Sequence, residues 1–324
     1  MSPKPTVLVS RRLPAAVETR LERDYTVTLN RDDVPLSAAD FRDALQRYDA
    51  LLPTVTDRLE ASVFDGITPK TRVLANYGVG YSHIDDAAAR DRGLVVTNTP
   101  DVLSECTADI AMTLLLMVAR RAGEGERELR AQAWHGWYPT HLLGTKVSGK
   151  TLGIVGFGRI GQAMAQRAHG GFGMRILVHN RSAVDPAVLA RYGAEQMPSL
   201  ESLLARGDMV SLHCPGGVAN RHLLDAERLA TLPRHAVLIN TARGEVVDED
   251  ALAAALQSGA LGGAGLDVYD GEPAVRPALL ASPNAVLLPH LGSATAETRD
   301  AMGFRVLDNL DAFFAGREPR DRVI

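Results

Sequence analysis

Three residues able to do acid–base and carboxylate chemistry each follow a β-type run late in the chain. AVLINTA (236–242) leads into Arg243. AGLDVY (264–269) contains Asp267 and leads into Asp270-Gly271-Glu272-Pro273. AVLLP (285–289) leads into His290, Gly292 and Ser293. Reducing a 2-oxo acid needs a hydride on the carbonyl carbon and a proton on its oxygen. An imidazole, with an ordinary pKa of about 6.5, suits the proton, and this is the role expected of His290. A carboxylate such as Glu272 stabilises imidazolium and fixes the ring. The guanidinium of Arg243 can grip a substrate carboxylate and polarise the adjacent carbonyl. Singly, these would read as a surface charge, a turn residue and a core histidine. Grouped beside a dinucleotide motif, they read as a catalytic set, and reduction is expected to weaken as the imidazole loses its proton.

The motif is Gly156-Phe157-Gly158-Arg159-Ile160-Gly161, a G-x-G-x-x-G between the strand-like TLGIV and a helical run. Gly156 permits the tight turn, Gly158 lets backbone approach a pyrophosphate, and Gly161 lets the helix pack on the strand. The amides of that first turn, Arg159 and Ile160 included, face the phosphates at the positive end of the helix. NAD binding would call for an acid about 20 residues on. The next strand instead ends His179-Asn180-Arg181-Ser182, and the nearest acid is Asp185. Without a carboxylate, a 2′-phosphate is not repelled. Arg181 can pair with it, and Asn180 and Ser182 can donate hydrogen bonds. The expectation is NADP(H) in preference to NAD(H), the alternative being that Arg181 is a solvated charge and both cofactors serve.

These groups require strands that deliver them to one edge. Short β-type runs alternate with helical segments: strands at 6–10, 26–29, 50–54, 73–77 and 95–98, helices at 15–23, 37–46 and 84–92, then an apolar helix over 104–121. An irregular segment, 133–149, holds Trp134, Trp137 and His141. At Lys150 the pattern restarts, with strands at TLGIV, MRILVHN, DMVSLHC, AVLINTA, AGLDVY and AVLLPH, and 294–316 reads as a closing helix. The fold class is α/β, as two Rossmann-like, doubly wound parallel-sheet domains with the active site in the cleft between them. Residues 102–290 are expected to form the dinucleotide-binding domain, and 1–101 with 291–324 a flavodoxin-like substrate domain.

The 324 residues are 46% hydrophobic and 23% charged with a net charge of −4, which suits packed globular domains and gives no footprint for nucleic acid. Cys106 and Cys214 lack metal-type spacing, so neither a metal nor a disulfide is expected. The longest strongly apolar stretch, 110–119, is far short of the roughly 20 residues of a membrane span. MSPKPTVLVSRR lacks a signal-peptide core, and the expected location is cytoplasmic.

Six stretches in order make the chain resemble the D-2-hydroxyacid dehydrogenase family, in its glyoxylate/hydroxypyruvate reductase branch. They are NYGVGYSHID (76–85), DVLSECTADIAMTLLLMVARR (101–121), KTLGIVGFGRIGQAMAQRA (150–168), LINTARGEVVDEDAL (238–252), AGLDVYDGEP (264–273) and LPHLGSAT (288–295). The resemblance implies a substrate-binding Arg243, an acid partner Glu272 and a proton donor His290. It implies that the amides of Val79 and Gly80 hold the substrate carboxylate and that Asp267 lies near the nicotinamide amide. Thr107, Cys214, Pro215, Thr241 and Ala242 match cofactor-lining positions, joined at the nicotinamide end by Arg243, His290 and Gly292. It also implies a homodimer. Trp134, Trp137 and His141 then read either as part of a substrate lid or as packing in the dimer seam. Departures are Ser82-His83 in the VGYSH turn, Asn220 in GGVANRH, and Asn180 in place of an acid.

The implied substrates are glyoxylate and hydroxypyruvate, with 2-ketogluconate as a further candidate. The alternatives are a dehydrogenase of D-lactate, 3-phosphoglycerate or a bulky branched acid, and an NAD(P)-sensing binding protein or corepressor on the same scaffold. Phosphoglycerate is less attractive because no regulatory region follows 324. Formate oxidation needs no protonated carbonyl oxygen.

Overall fold

A computed structural model describes residues 3–324. The chain divides into two compact units, residues up to Leu103 together with Ala294–Ile324, and Ser104–Ser293.

The first unit runs β1 (Thr6–Val9), α1 (Ala15–Asp24), β2 (Thr26–Leu29), α2 (Ala38–Arg47), β3 (Ala50–Leu52), α3 (Ala61–Phe64), β4 (Val73–Ala75), α4 (Asp86–Asp91) and β5 (Val95–Thr97). Its five strands are parallel in the order β2-β1-β3-β4-β5, the flavodoxin-like sequence of a doubly wound sheet. Parallel strands buried on both faces read as continuous apolar runs, and β3 and β4 are buried at every position. The sequence marks α2 plainly: Ser37 caps it, taking the Asp40 amide while the Asp40 carboxylate takes the Ser37 amide.

The second unit runs α5 (Ser104–Ala119), α6 (Ala122–Arg130), β6 (Thr151–Val155), α7 (Arg159–Phe172), β7 (Arg175–His179), α8 (Pro186–Arg191), β8 (Ala194–Gln196), α9 (Leu200–Leu204), β9 (Met209–Leu212), α10 (Ala226–Thr231), β10 (Val237–Asn240), α11 (Glu249–Gln257), β11 (Gly263–Leu266), α12 (Pro277–Leu280) and β12 (Ala285–Leu287). Its seven parallel strands are ordered β12-β11-β10-β9-β6-β7-β8, with the chain reversing direction across the sheet at β6 and β9. The helix expected over 104–121 is α5, and a second helix, α6, follows it where no element was expected. Arg121 adopts a left-handed conformation (φ 51°), held by a two-pronged ion pair with Glu124 at 2.9 and 2.7 Å, and α6 starts directly after it. The sequence reading also passed over β8, whose Ala-Glu-Gln pairs only with β7 at the sheet's edge. Among the described residues no helix is long and apolar enough to cross a membrane.

The closing helix, α13 (Ala296–Phe314), returns to the first unit and packs on α1. The fit is close: a Cβ on Gly303 would come within 2.3 Å of Val17 Cγ2, and Val17 has no exposed surface. Gly303→Leu should therefore lower stability by about 1–3 kcal/mol. Combining it with Val17→Ala should recover part of that loss. Urea denaturation of both variants checks this, and an unchanged midpoint for Gly303→Leu would contradict the packing.

Candidate active site

The glycine turn joins β6 to α7. Gly156 has φ 91°, and a Cβ there would lie 2.7 Å from the His213 carbonyl carbon and the Cys214 nitrogen, so only glycine lets the turn nest against the end of β9. A Cβ on Gly161 would meet the Gly156 oxygen at 2.2 Å, which fixes how closely α7 approaches the turn. Gly158 is different, with no heavy atom within 4 Å of the built Cβ. It opens α7 with no side chain capping the helix, followed by exposed Arg159 and half-buried Ile160. An open glycine at an uncapped, electropositive helix start fits a pyrophosphate.

At the end of β7, the Asn180 carbonyl accepts the Phe157 amide at 3.2 Å, and its NH₂ donates to the Ser182 carbonyl at 3.1 Å and hydroxyl at 3.2 Å. Asn180 thus braces the turn, a role the sequence reading did not foresee. Arg181 and Ser182 are exposed beside it. The neighbouring strand-end imidazoles supply no charge. Burial pushes His179 below its ordinary value and His213 down to about 3.

Arg243, Glu272 and His290 follow β10, β11 and β12, which are consecutive neighbours in the sheet. His290 Nδ1 lies 2.7 Å from Glu272 Oε2. A carboxylate cannot donate, so Nδ1 carries the proton and Nε2 is left for a substrate. Glu272 Oε1 accepts the Tyr269 amide at 2.9 Å, and the Glu272–Pro273 bond is cis. Burial raises the Glu272 carboxyl. The hydrogen bond and charge of His290, the Tyr269 amide and the charge of Arg243 outweigh it, so the net shift is downward and the group is ionised. Arg243 donates to the Ala242 carbonyl at 2.6 Å. Burial lowers its pKa, and the opposing charges of Glu245 and Glu272 help keep it protonated.

Supporting contacts explain why these tips hold still. His290 sits at φ 55°, a conformation costly for a side chain of its size and sustained only where its surroundings fix it. The Asp267 carboxylate, 1% exposed, takes the next two amides, Leu291 at 2.7 Å and Gly292 at 2.8 Å. Burial raises the Asp267 pKa against those two hydrogen bonds. Thr107 of α5 is close by, about where a Cβ on Gly292 would touch it at 3.4 Å. Tyr269 donates to the Leu288 carbonyl at 2.9 Å, tying the β11 and β12 ends together.

Gly244 lets the arginine loop press on the glutamate loop, since a Cβ there would fall 1.9 Å from the Tyr269 carbonyl carbon. Glu249, 4% exposed, accepts the Asp270 amide at 2.8 Å. Asn240 takes the Ala242 amide at 3.0 Å and gives to the Arg243 carbonyl at 2.9 Å. None of Asn240, Gly244, Glu249 or Tyr269 stood out in the sequence. An Asn or Gly beside a conspicuous Arg was the only available signal.

The remaining expected positions of this unit lie at the ends of β9 and β10. The Thr241 hydroxyl is buried without a hydrogen-bond partner among the described residues. Ala242 is buried. Burial pushes the Cys214 thiol up to about 11, so it lines the site as a neutral group. The Pro215 carbonyl accepts Asn220 at 2.8 Å, and Gly216 lies against Arg243, a Cβ there falling 2.8 Å from Arg243 Cγ. Val79 and Gly80 belong to the other unit, half-buried in the loop after β4.

Residues 112–292 match the family described as "D-isomer specific 2-hydroxyacid dehydrogenase, NAD binding domain". The glyoxylate reductase of Thermococcus litoralis is 42% identical, covering 99% of this chain and 97% of its own. The glycerate dehydrogenase of Hyphomicrobium methylovorum is 38% identical, covering 97% and 98%. Among solved structures, the NADPH-dependent glyoxylate/hydroxypyruvate reductase of Sinorhizobium meliloti in complex with NADP and malonate superposes with a TM-score of 0.88 at 36% identity, covering 99% of this chain and 97% of that one. The turn, the strand-tip groups and these full-length likenesses agree, and the chain belongs to the D-isomer-specific 2-hydroxyacid dehydrogenase family.

Proposed function

We propose that the protein reduces glyoxylate to glycolate and hydroxypyruvate to D-glycerate, using NADPH in preference to NADH. The observation that carries this reading is the 2.7 Å pairing of His290 Nδ1 with an ionised Glu272, beside Arg243 and on the sheet that bears the glycine turn. A bound nicotinamide supplies the hydride, and the protein's own groups do the rest. Gly156, Gly158 and Gly161 shape the turn for the pyrophosphate, and Thr107, Thr241 and the Cys214-Pro215 segment line the nicotinamide end. Arg243 grips the substrate carboxylate and draws electron density from the carbonyl. The amides of Val79 and Gly80 offer a second anchor for that carboxylate. His290 Nε2 delivers its proton to the forming alkoxide, and Glu272, bound to Nδ1, keeps the ring aimed. Substrates of two and three carbons agree with the relatives named above, since glycerate is what reduction of hydroxypyruvate gives.

For the cofactor, Arg181 and Ser182 are the exposed groups placed to meet a 2′-phosphate, and no carboxylate ends β7. Wild-type enzyme should oxidise NADPH with glyoxylate and hydroxypyruvate at a higher kcat/KM than NADH. Arg181→Ala should erode that preference by about tenfold or more, the scale of a lost charge-assisted pair. A clear preference for NADH would overturn the cofactor assignment. Absence of turnover with any 2-oxo acid would favour a cofactor-sensing protein.

His290→Gln should lower kcat by about 10²–10⁴-fold, the scale of a lost general acid. Glu272→Gln leaves His290 Nδ1 without its carboxylate partner at 2.7 Å and should also lower kcat. An unchanged kcat would separate His290 from Glu272 in the mechanism.

Assembly as a homodimer fits the surface of the second unit. Leu129, Trp134, Trp137, Tyr138 and Leu143 expose 62, 51, 81, 46 and 65% of their area within one short segment, more apolar surface than a monomer ordinarily leaves open. Light scattering should give twice the chain mass, and Trp137→Glu with Leu143→Glu should shift it to the monomer. A monomeric wild type would contradict this. A reducing, cytoplasmic setting suits the two free thiols, Cys106 and Cys214.

A further inference from the structure

The loop Gly78-Val79-Gly80 has an unusual backing. Asn76, just past β4, has no exposed surface, and its NH₂ donates to the carbonyls of Gly78 at 2.9 Å and Gly80 at 3.1 Å. Asn98, just past β5, donates to the Val79 carbonyl between them at 2.9 Å. The Thr99 amide adds a second bond to Gly78, at 3.1 Å. Three successive carbonyls are thus drawn towards two buried side chains. In a trans peptide the N–H points opposite to the C=O. The amides of Val79, Gly80 and Tyr81 therefore face the other way, and they donate to no group among the described residues. Successive free amides on one side of a loop form a concavity for an anion.

Asn98 is itself clamped. Its amide donates to the Asp321 carbonyl at 3.2 Å, and its carbonyl accepts Asn309 Nδ2 at 3.3 Å. Asn309 and Asp321 exchange two further bonds, at 3.0 and 3.2 Å, and Arg305 completes the chain with a bond of 2.9 Å to Asp321. Asn98, Asn309 and Asp321 are all buried. Asn76 Oδ1 has no hydrogen-bond partner among the described residues. Its side chain is oriented to use the donors at the expense of the acceptor. A residue serving only to fill the core would not favour that choice, because an unpaired buried acceptor is costly.

We infer that Asn76 and Asn98 are positioning residues that turn the Val79, Gly80 and Tyr81 amides towards the carboxylate of the 2-oxo acid, with Asn98 anchored through Asn309 and Asp321 to the C-terminal segment. This rests on the reading of Val79 and Gly80 as substrate-binding. Neither asparagine touches substrate; each acts through the loop backbone. Small misplacements of groups that orient a substrate are expensive, up to about a hundredfold.

The test uses the full-length enzyme and three variants, Asn98→Ala, Asn98→Asp and Asn76→Asp. The readouts are KM for glyoxylate, KM for NADPH, kcat and the inhibition constant of oxalate. The aspartates keep the shape while removing donors and placing negative charge behind the anion site. KM for glyoxylate and the oxalate constant should rise about 10–100-fold, more for Asp than for Ala at position 98. KM for NADPH should not change, and kcat should fall less than KM rises. A folded variant with unchanged glyoxylate and oxalate affinity overturns the assignment. So does failure of all three to fold, which would make the asparagines purely structural. A wild type without turnover would instead defeat the proposed reaction, whereas an active wild type with unshifted variants defeats only this inference.

Discussion

The hydrogen bond between His290 and Glu272 joins the ends of two strands, and most of what surrounds it exists to keep those ends in register. An imidazole beside a carboxylate acts as a directed proton donor only when one nitrogen is committed and the other is free, which the 2.7 Å pairing at Nδ1 achieves. The ring reaches it from a left-handed backbone conformation, and Asp267 holds that backbone by taking the two amides that follow. Glu272 reaches it from a loop whose own amides are fixed twice, Tyr269 by Glu272 and Asp270 by Glu249. Arg243 is bound into the same assembly because Gly244 lets its loop lie directly on that of Glu272. Every one of these contacts is made within the second unit, so the proton-transfer pair and the guanidinium move as one body with the sheet.

The first unit solves a similar problem from behind the loop, with asparagine side chains. Where the second fixes charged side chains by hydrogen-bonding the backbone around them, the first fixes backbone amides by hydrogen-bonding side chains to the opposite face of the loop. A buried network of hydrogen-bonded polar groups is stiff, and here the Arg305–Asp321 ion pair closes it at the C-terminal end. It also gives the C-terminal segment a definite task, since Asn309 and Asp321 grip Asn98 from helix α13 and the residues beyond it.

Much of this was legible in the sequence, and the reasons are physical. Strands of a parallel sheet are buried on both faces, so runs such as TLGIV and AVLIN announce themselves. Because ligands gather at strand carboxyl ends, reading the residue after each run led to Arg243, Glu272 and His290, and the sheet order puts their strands side by side. Helix α6 was not expected because nothing in Arg120-Arg121-Ala122 signals that a left-handed Arg121, held by its ion pair with Glu124, starts a new helix. Strand β8 was hidden because Ala, Glu and Gln carry no β signal and are ordered by one neighbour. Asn180, expected at the cofactor, also braces the glycine turn through Phe157 and Ser182, which the sequence did not signal. Glu249, Gly244, Asn76 and Asn98 were out of reach for a common reason. Each acts on main-chain atoms of a loop distant in sequence or shaped by tertiary packing, and one-dimensional spacing does not encode which backbone group a side chain will meet.

The central claim is that His290 and Glu272 work as a unit, and a double-mutant cycle on kcat/KM for 2-oxo acid reduction tests it most directly. Residues that act jointly give losses far from additive. The account predicts that removing Glu272 from an enzyme already carrying His290→Gln has little further effect, although the same change in the wild type is damaging. Additive losses, with Glu272→Gln equally harmful in both backgrounds, would contradict it.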